Sequence, residues 1–554
     1  MEGRGSGTVN RRSFAVFTLL LCGCGREPSG DAPGAEDPAW LFRAHEILSA
    51  PVLEPAVEAR QILEAKGGGL AVFDANGDGH LDLFLPGAGR IDALEGQGAS
   101  LLFGDGVLGF SDSGTTPWRG FGMGTAVGDA DGDGRADVFV AAFGVDALLF
   151  GEGDGLAARP AGVEYAGWSS AGSFCDLDGD GDLDLAVARY LVFDPSAPPP
   201  KTEFFGTAVF GGPAGLEGEA NGLFENDGTG RFRDRSAELA EDRPRATLGV
   251  VALDLDLDGA FDLYFGNDSQ SNRAYFGTPG QPFAFNEAAE SAGLARNGDG
   301  HAQATMGIAV ADVNGDGAPD LFTTNFARDT NTLLTSASER RWRDATARSG
   351  LAAGGRAEVA WGCVFTDFDR DGREDLVVVN GHVYSDRIAR ELGAARAQAV
   401  HAWRAGESRF ERLTPAAEPA LSRPAVWRSL VAADLDGDGD RDLVATALGS
   451  RAVVFERRGA GGLLLELRQV GAGDRAGLGA RVEFEFEGTR QTRFALGGGS
   501  YQASGPAAVE LPAGITGPLT VVWPDGTPSR VEAVPAAGRW ALERDGKRAT
   551  LRKL

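Results

Sequence analysis

Asp176-Leu177-Asp178-Gly179-Asp180-Gly181-Asp182-Leu183-Asp184 is one of seven copies of the pattern Asp-x-Asp/Asn-x-Asp-Gly-x-x-Asp. The others begin at Asp74, Asp129, Asp254, Asp312, Asp367 and Asp434, so successive copies lie 55, 47, 78, 58, 55 and 67 residues apart. That period is the length of one four-stranded blade, and it predicts an all-β fold built round a seven-bladed β-propeller.

Within each copy, positions 1, 3, 5 and 9 place side-chain oxygens around one point, position 7 can add its carbonyl, and glycine at position 6 permits a sharp turn. The predicted ligands are Asp74, Asn76, Asp78 and Asp82 in the first loop and Asp129, Asp131, Asp133 and Asp137 in the second. Asp176, Asp178, Asp180 and Asp184 serve the third; Asp254, Asp256, Asp258 and Asp262 the fourth; Asp312, Asn314, Asp316 and Asp320 the fifth. Asp367, Asp369, Asp371 and Asp375 follow, and Asp434, Asp436, Asp438 and Asp442 complete the set. Hard oxygen donors select calcium over zinc or copper, so up to seven Ca2+ ions are expected. An Asp-Gly turn alone needs one such residue beside glycine and gives no reason for four oxygens at fixed spacing. An EF-hand would need flanking helices and a glutamate at position 12, whereas these flanks read as strands.

The flanks orient each unit. Five residues before the first Asp stand Gly69, Gly124, Ala171, Gly249, Gly307, Gly362 and Ser429, followed by short apolar runs such as Leu70–Phe73. Small residues at one register fit the innermost strand, where a larger side chain would fill the central channel. Position 10 is Leu or Val throughout and starts the returning strand, facing the core. Phe103-Gly104, Phe150-Gly151, Phe210-Gly211 and Phe276-Gly277 recur in the outer parts. The 78-residue interval contains Pro195 and Pro198-Pro199-Pro200, and roughly 30 residues there read as an insertion between blades.

These residues resemble the FG-GAP/VCBS propeller repeats of integrin α-subunit heads and many bacterial surface proteins, over about residues 60 to 458. Downstream, Leu478 to Val482, Gly497-Gly498-Gly499-Ser500-Tyr501 and Val522-Trp523-Pro524-Asp525-Gly526 resemble the ASPIC/UnbV module of the cartilage acidic protein-like family. Alternation predicts strands near Leu463 to Leu467, Arg481 to Phe486, Thr492 to Leu496, Ala508 to Leu511 and Leu519 to Trp523, a small sandwich-like β domain over 459–554 after a propeller over 46–458. Where that family has His-Phe-Gly-Leu-Gly, this chain has Ala507-Ala508-Val509-Glu510-Leu511.

The first 24 residues read as an export signal: Arg4, Arg11 and Arg12, then an apolar run from Ser13 to Leu21, too short to span a bilayer. Leu21-Cys22-Gly23-Cys24 resembles a bacterial lipoprotein signal, which implies lipidation at Cys24, an exported, membrane-anchored protein at the periplasmic or cell surface, and a flexible tether over 25–45. Arg11-Arg12-Ser13-Phe14 is also compatible with twin-arginine export. Cys175 and Cys363 lie in strands of non-neighbouring blades and read as small buried hydrophobes, not a disulfide.

Net charge is −28, which disfavours nucleic acid and anionic membrane surfaces as partners and leaves the lipid as the membrane contact of an expected monomer. The loops hold 26 of the 80 acidic residues, so seven divalent ions would bring +14 and halve that charge. Asn267, Asn325 and Asn380 end the returning strands of blades 4 to 6 only, with Asp268, Asn272, Asn331 and His382 nearby. Trp361, Trp427 and Arg428 should open on the same face, opposite the cations. Asn267, Asp268, Asn325, Asn380, His382, Trp361 and Arg428 therefore form a candidate site for a carbohydrate or protein ligand at the cell surface, set against a reading in which asparagine caps turns and bridges blades. The five histidines show no zinc spacing, and no nucleophile elbow or phosphate loop is present. The expectation is a non-enzymatic binding or adhesion scaffold; the alternative is a polysaccharide lyase or glycosidase on a calcium-stabilised propeller.

Overall fold

The computed structural model describes residues 41–53, 59–87, 89, 98–114, 118–338, 340–352, 355–459, 461–471, 476–515 and 517–554. The signal, Cys24 and most of the expected tether lie outside the described residues.

Each acidic loop connects two antiparallel strands, and each such pair is extended to four strands. In the first unit these are Leu70–Phe73, Asp82–Leu85, Ser100–Gly104 and Phe110–Asp112. The later units begin with Phe121–Gly128, Ala166–Cys175, Thr247–Leu253, Ile308–Ala311, Ala360–Thr366 and Val426–Ala433. Each of these inner strands packs beside the next, and the seventh returns to the first, which makes a closed, propeller-like ring. Leu83, Val138, Leu185, Leu263, Leu321, Leu376 and Leu443, the position-10 residues, are all fully buried. The ring closes on a strand expected to be tether: Phe42–Glu46 pairs with Val453–Arg457 as the outer strand of the seventh unit. An unpaired outer edge would leave its N–H and C=O groups open, so the chain start is recruited to cover it.

The small residues before the loops have a more specific cause than room in the channel. A Cβ on Gly69 would sit 2.2 Å from the Met123 carbonyl, one on Gly124 2.3 Å from Ser170 O, and one on Gly307 2.2 Å from Trp361 O. In each case the backbone of the next unit, one residue ahead of its own small residue, occupies the space. The repeat glycines farther out behave alike: a Cβ on Gly104 would meet Leu81 O at 2.2 Å and one on Gly277 would meet Phe261 O at 2.3 Å. Phe210-Gly211 does not belong to this series, because it lies in the third unit's insertion; Asn226 takes the equivalent place.

The C-terminal part forms two four-stranded sheets, one containing Leu463–Gln469, Val509–Leu511, Gly538–Asp545 and Arg548–Lys553, the other Arg481–Phe486, Thr489–Phe494, Leu519–Val522 and Pro528–Val531. Val482, Phe484, Val521, Trp523 and Leu465 fill the space between them. It is not a separate appendage. The segment 498–504 leaves this domain and enters the ring, where Ala503 and Ser504 run parallel to Leu70 and Ala71. Ile308 and Ser500 exchange both backbone hydrogen bonds, at 3.0 and 2.5 Å. Cys363 N donates to Ser500 Oγ at 3.1 Å, and Ser429 Oγ donates to Tyr501 O at 2.7 Å. The channel expected to be lined by small residues is thus filled by the Gly-Gly-Ser-Tyr stretch, and the described residues from 41 to 554 form one compact unit. Cys175 and Cys363 are buried and form no disulfide.

Candidate functional site

The seven loops share one hydrogen-bond scheme. The Oδ2 of the first Asp accepts from the position-6 glycine N–H in every copy, for example Gly79 to Asp74 at 2.9 Å and Gly439 to Asp434 at 3.1 Å. Those glycines have φ between +86° and +98°, the left-handed region that disfavours a side chain. The position-9 carboxylate is a staple. One oxygen accepts from the position-2 N–H, as Ala130 to Asp137 at 2.7 Å, and the other from the third strand, as Gly151 to Asp137 at 2.8 Å. The same pair of bonds holds Asp82, Asp184, Asp262, Asp320, Asp375 and Asp442.

Sequence reading treated position 9 only as a ligand; it is also what ties the loop to the sheet. Burial pushes Asp137, Asp184, Asp320 and Asp442 up to about 8 and Asp375 to about 9, opposed by their N–H donors and reinforced by neighbouring carboxylates. Carboxylate oxygens converge within 4.8 Å in five loops: Asp129, Asp131 and Asp137; Asp176, Asp178 and Asp184; Asp254, Asp256 and Asp262; Asp367, Asp369 and Asp371; Asp434, Asp436 and Asp442. The first and fifth loops carry Asn76 and Asn314 at position 3. The donor set, all oxygen on tight loops, fits a hard divalent cation such as calcium.

The loops differ in what covers them. The C-terminal domain rests on the sixth and seventh. Glu510, in the segment where the family motif is missing, accepts from Thr366 Oγ1 at 2.7 Å and from Asp367 N at 3.3 Å. Burial, then Glu510, then other charges set Asp367 at about 8. Arg493 Nη2 donates to Gly372 O at 2.7 Å, Arg539 lies 3.6 Å from Asp434, and Arg370 of the sixth loop pairs with Asp440 of the seventh.

At the far end of the channel, all seven proposed ligand residues are buried. The three asparagines do not face solvent: Asn267 Nδ2 donates to Ser271 O at 2.7 Å, Asn325 Nδ2 to Thr330 O at 2.9 Å and Asn380 Nδ2 to Ala399 O at 2.9 Å. The turn-capping reading describes them, because each strand end leaves carbonyls that an amide can satisfy. Asn272 and Asn331 accept from the Asn267 and Asn325 N–H groups.

The other four meet. Arg428 donates to Ala65 O, Gly381 O and Trp427 O, and its guanidinium lies 4.1 Å from the Trp361 ring. Trp361 Nε1 also donates to Gly381 O, at 2.7 Å. Asp268 pairs with Lys66 Nζ at 3.3 Å and accepts from Tyr190 OH at 2.6 Å. Lys66 stands 5.0 Å from Trp361 and 5.2 Å from Tyr190, and Tyr501 closes on Trp361 from the loop side at 4.6 Å.

Lys66, Tyr190 and Tyr501 were missed as members. Lys66 had one signal, a rare lysine directly before Gly67-Gly68-Gly69. Burial pushes its ammonium down against the pull of Asp268, pushes Arg428 down to about 9, and with Arg428 nearby pushes His382 to about 4.

Family models match the FG-GAP-like repeat over residues 74–140, 129–187, 254–323 and 312–378, and the FG-GAP repeat over 426–462. The model described as ASPIC and UnbV matches 471–549. No curated protein matches the chain. Among solved structures, it is similar to an Agrocybe aegerita lectin described as recognising non-reducing terminal N-acetylglucosamine, at 15% identity and TM-score 0.38, covering 63% of this chain and 80% of that one. It is also similar to BBS1N solved in complex with ARL6DN, at 11% identity and TM-score 0.36, covering 76% and 98%. These likenesses are too distant to bear on the site. The chain is therefore a nearly all-β protein that carries FG-GAP repeats through its ring and an ASPIC and UnbV domain at its C-terminal end.

Proposed function

We propose that this chain is a calcium-stabilised, non-catalytic binding scaffold, exported and held at a membrane by a lipid on Cys24. The observation that carries the reading is the repeated all-oxygen loop with its buried position-9 carboxylate. Four carboxylates about 5 Å apart repel pairwise by roughly 3 kcal/mol at an effective dielectric near 20. A bound cation removes that repulsion, and the ion then acts as a clamp between the first two strands of each unit. Residues Asp74, Asn76, Asp78 and Asp82, with their six sets of counterparts, would hold it. Non-catalytic use is supported by the burial of His382 and Arg428, the groups a lyase would need at a surface: each is 1% exposed.

Elemental analysis of protein dialysed against trace calcium tests the reading. Wild type should retain several calcium ions per chain, and Asp176→Asn/Asp178→Asn should retain one fewer. A calcium content of zero for the folded wild type would sink it. Labelling with a palmitate analogue, lost in Cys24→Ser, tests the anchor.

A further inference from the structure

The acidic loops share a sequence pattern but not a counter-charge, and they part at position 3. Where position 3 is Asp, one of its oxygens accepts from the position-5 N–H, as Asp133 to Asp131 at 3.3 Å, Asp258 to Asp256 at 3.2 Å and Asp371 to Asp369 at 3.3 Å. In these three loops, the second, fourth and sixth, the other oxygen is taken by a guanidinium: Arg159 on Asp131, Arg340 on Asp256 and Arg404 on Asp369. Arg340 also reaches the position-5 carboxylate of Asp258, at 2.6 Å. In the first and fifth loops position 3 is an amide that donates to position 5, Asn76 Nδ2 to Asp78 at 3.1 Å and Asn314 Nδ2 to Asp316 at 3.0 Å. The third loop has neither device. Asp178 accepts from Asp180 N at 3.2 Å, and among the described residues no arginine or lysine pairs with it. The seventh loop also lacks a guanidinium at Asp436, but Arg539 stands 3.6 Å from its Asp434.

The three arginines reach the same loop position from different parts of the chain. Arg159 follows the outer strand Gly155–Ala158 of its own unit, Arg340 stands at the turn between Thr332–Ser338 and Arg341–Asp344 of the next unit, and Arg404 lies in the strand His401–Ala405 of its own. The first two stack on the phenylalanine of the Phe-Gly repeat, 3.6 Å from Phe150 and 5.3 Å from Phe276. Arg404-Ala405 stands where that repeat would be, since Ala405 N, like Gly151 N and Gly277 N, donates to the position-9 carboxylate. In the third unit the place of the phenylalanine belongs to Glu225, paired with Arg235, and its charge adds to the repulsion on Asp178. The arginine side chains are 44 to 51% exposed, whereas the carboxylates they cover are 2 to 14% exposed. A carboxylate that deep needs a counter-charge, and a half-exposed arginine swings into water at little cost. Each pair is therefore exchangeable.

We propose that Arg159, Arg340 and Arg404 are resident counter-cations that compete with calcium for the second, fourth and sixth loops, so that the third loop fills first and these three only at higher calcium. This rests on the reading of the loops as calcium sites and ranks them. The affinity of an oxygen-ligand loop follows its ligand charge. The third loop presents four carboxylates with no guanidinium among them, whereas each arginine-paired loop presents four less the charge of its arginine. A cation that draws on the occupied oxygen must displace the guanidinium or bear its repulsion. In the ion-free loop the same guanidinium relieves the repulsion among the carboxylates, so the arginines support the empty state and oppose the filled one.

The test titrates the calcium-loaded full chain with a chromophoric chelator, so that no variant has to fold without calcium, and follows melting temperature with and without the ion. In wild type the tightest ion should be that of the third loop and should vanish in Asp176→Asn/Asp178→Asn. Arg159→Gln/Arg340→Gln/Arg404→Gln should bind three of its ions at least fivefold tighter, leave the tightest unchanged, and melt below wild type only in excess chelator. Affinities unchanged or weakened in the arginine variant overturn the proposal and leave the calcium reading standing. An equal drop in its melting temperature with and without calcium makes the arginines plain structural pairs and overturns the proposal as well. Calcium bound by neither wild type nor variant overturns the calcium reading itself, and the ranking falls with it.

Discussion

The two mouths of the central channel are closed by different physics. On the loop side the C-terminal segment enters as backbone, hydrogen-bonded to inner strands of the first, fifth and sixth units. On the far side the insertion lies on aromatic edges and hangs from a two-stranded neck. Backbone pairing fixes a register and is lost only with the fold, whereas edge contacts can part without exposing unpaired amides. One closure is built into the backbone pairing of the ring; the other rests on side-chain packing.

The largest effect should come from breaking the first closure. Tyr501 is fully buried against Trp361, and Tyr501→Ala should cost about 3–5 kcal/mol in equilibrium denaturation. Phe204→Ala on the insertion removes a partly exposed ring and should cost about 1–2 kcal/mol. Equal losses would erase the distinction between the mouths.

The loop side should also respond to pH. Asp137, Asp184, Asp320, Asp375 and Asp442 have folded values raised to about 8 or 9, above their unfolded value near 3.8. The ion-free fold then holds more protons than the unfolded chain, so its stability is full below pH 4 from these groups and is lost as pH rises through about 8. Metal-free protein should melt lower at pH 8.5 than at pH 6, and saturating calcium should abolish or reverse that slope. A rising slope in the metal-free protein would contradict the assignment.

The smallest effect distinguishes loops with identical ligands. Position 4 is glycine at positive φ in five loops, but Leu257 has φ 60° and Arg370 φ 63°. A side chain there costs about 1–2 kcal/mol. Leu257→Gly should stabilise by up to about 1 kcal/mol. Arg370→Gly should not, because Arg370 bridges to Asp440 under the C-terminal domain.

The repeating loop made the ring legible, since position 1, the position-6 glycine and position 9 each do one fixed job in all seven copies. The long third interval announced the insertion. The plug was not legible: the stretch from Gly498 to Ser504 meets strands as near as Ser429 and as far as Leu70, and no local pattern encodes such partners. The strand Phe42–Glu46 was hidden for the same reason. For the asparagines, a residue that caps a strand end and one that meets a ligand share composition and position, and what the structure adds is that all three amides donate to backbone carbonyls. Glu510 shows the converse, a departure from the expected motif that the structure uses at the sixth loop.

The central claim is that the ring depends on divalent cations held by its acidic loops. Thermal unfolding of the full chain at pH 7.5, with 1 mM calcium and then with excess chelator, tests it most directly. A ligand bound only to the native state must raise its stability, so several sites should lower the melting temperature by 10 °C or more on chelation, reversibly on adding calcium back. An unchanged melting temperature would contradict the account.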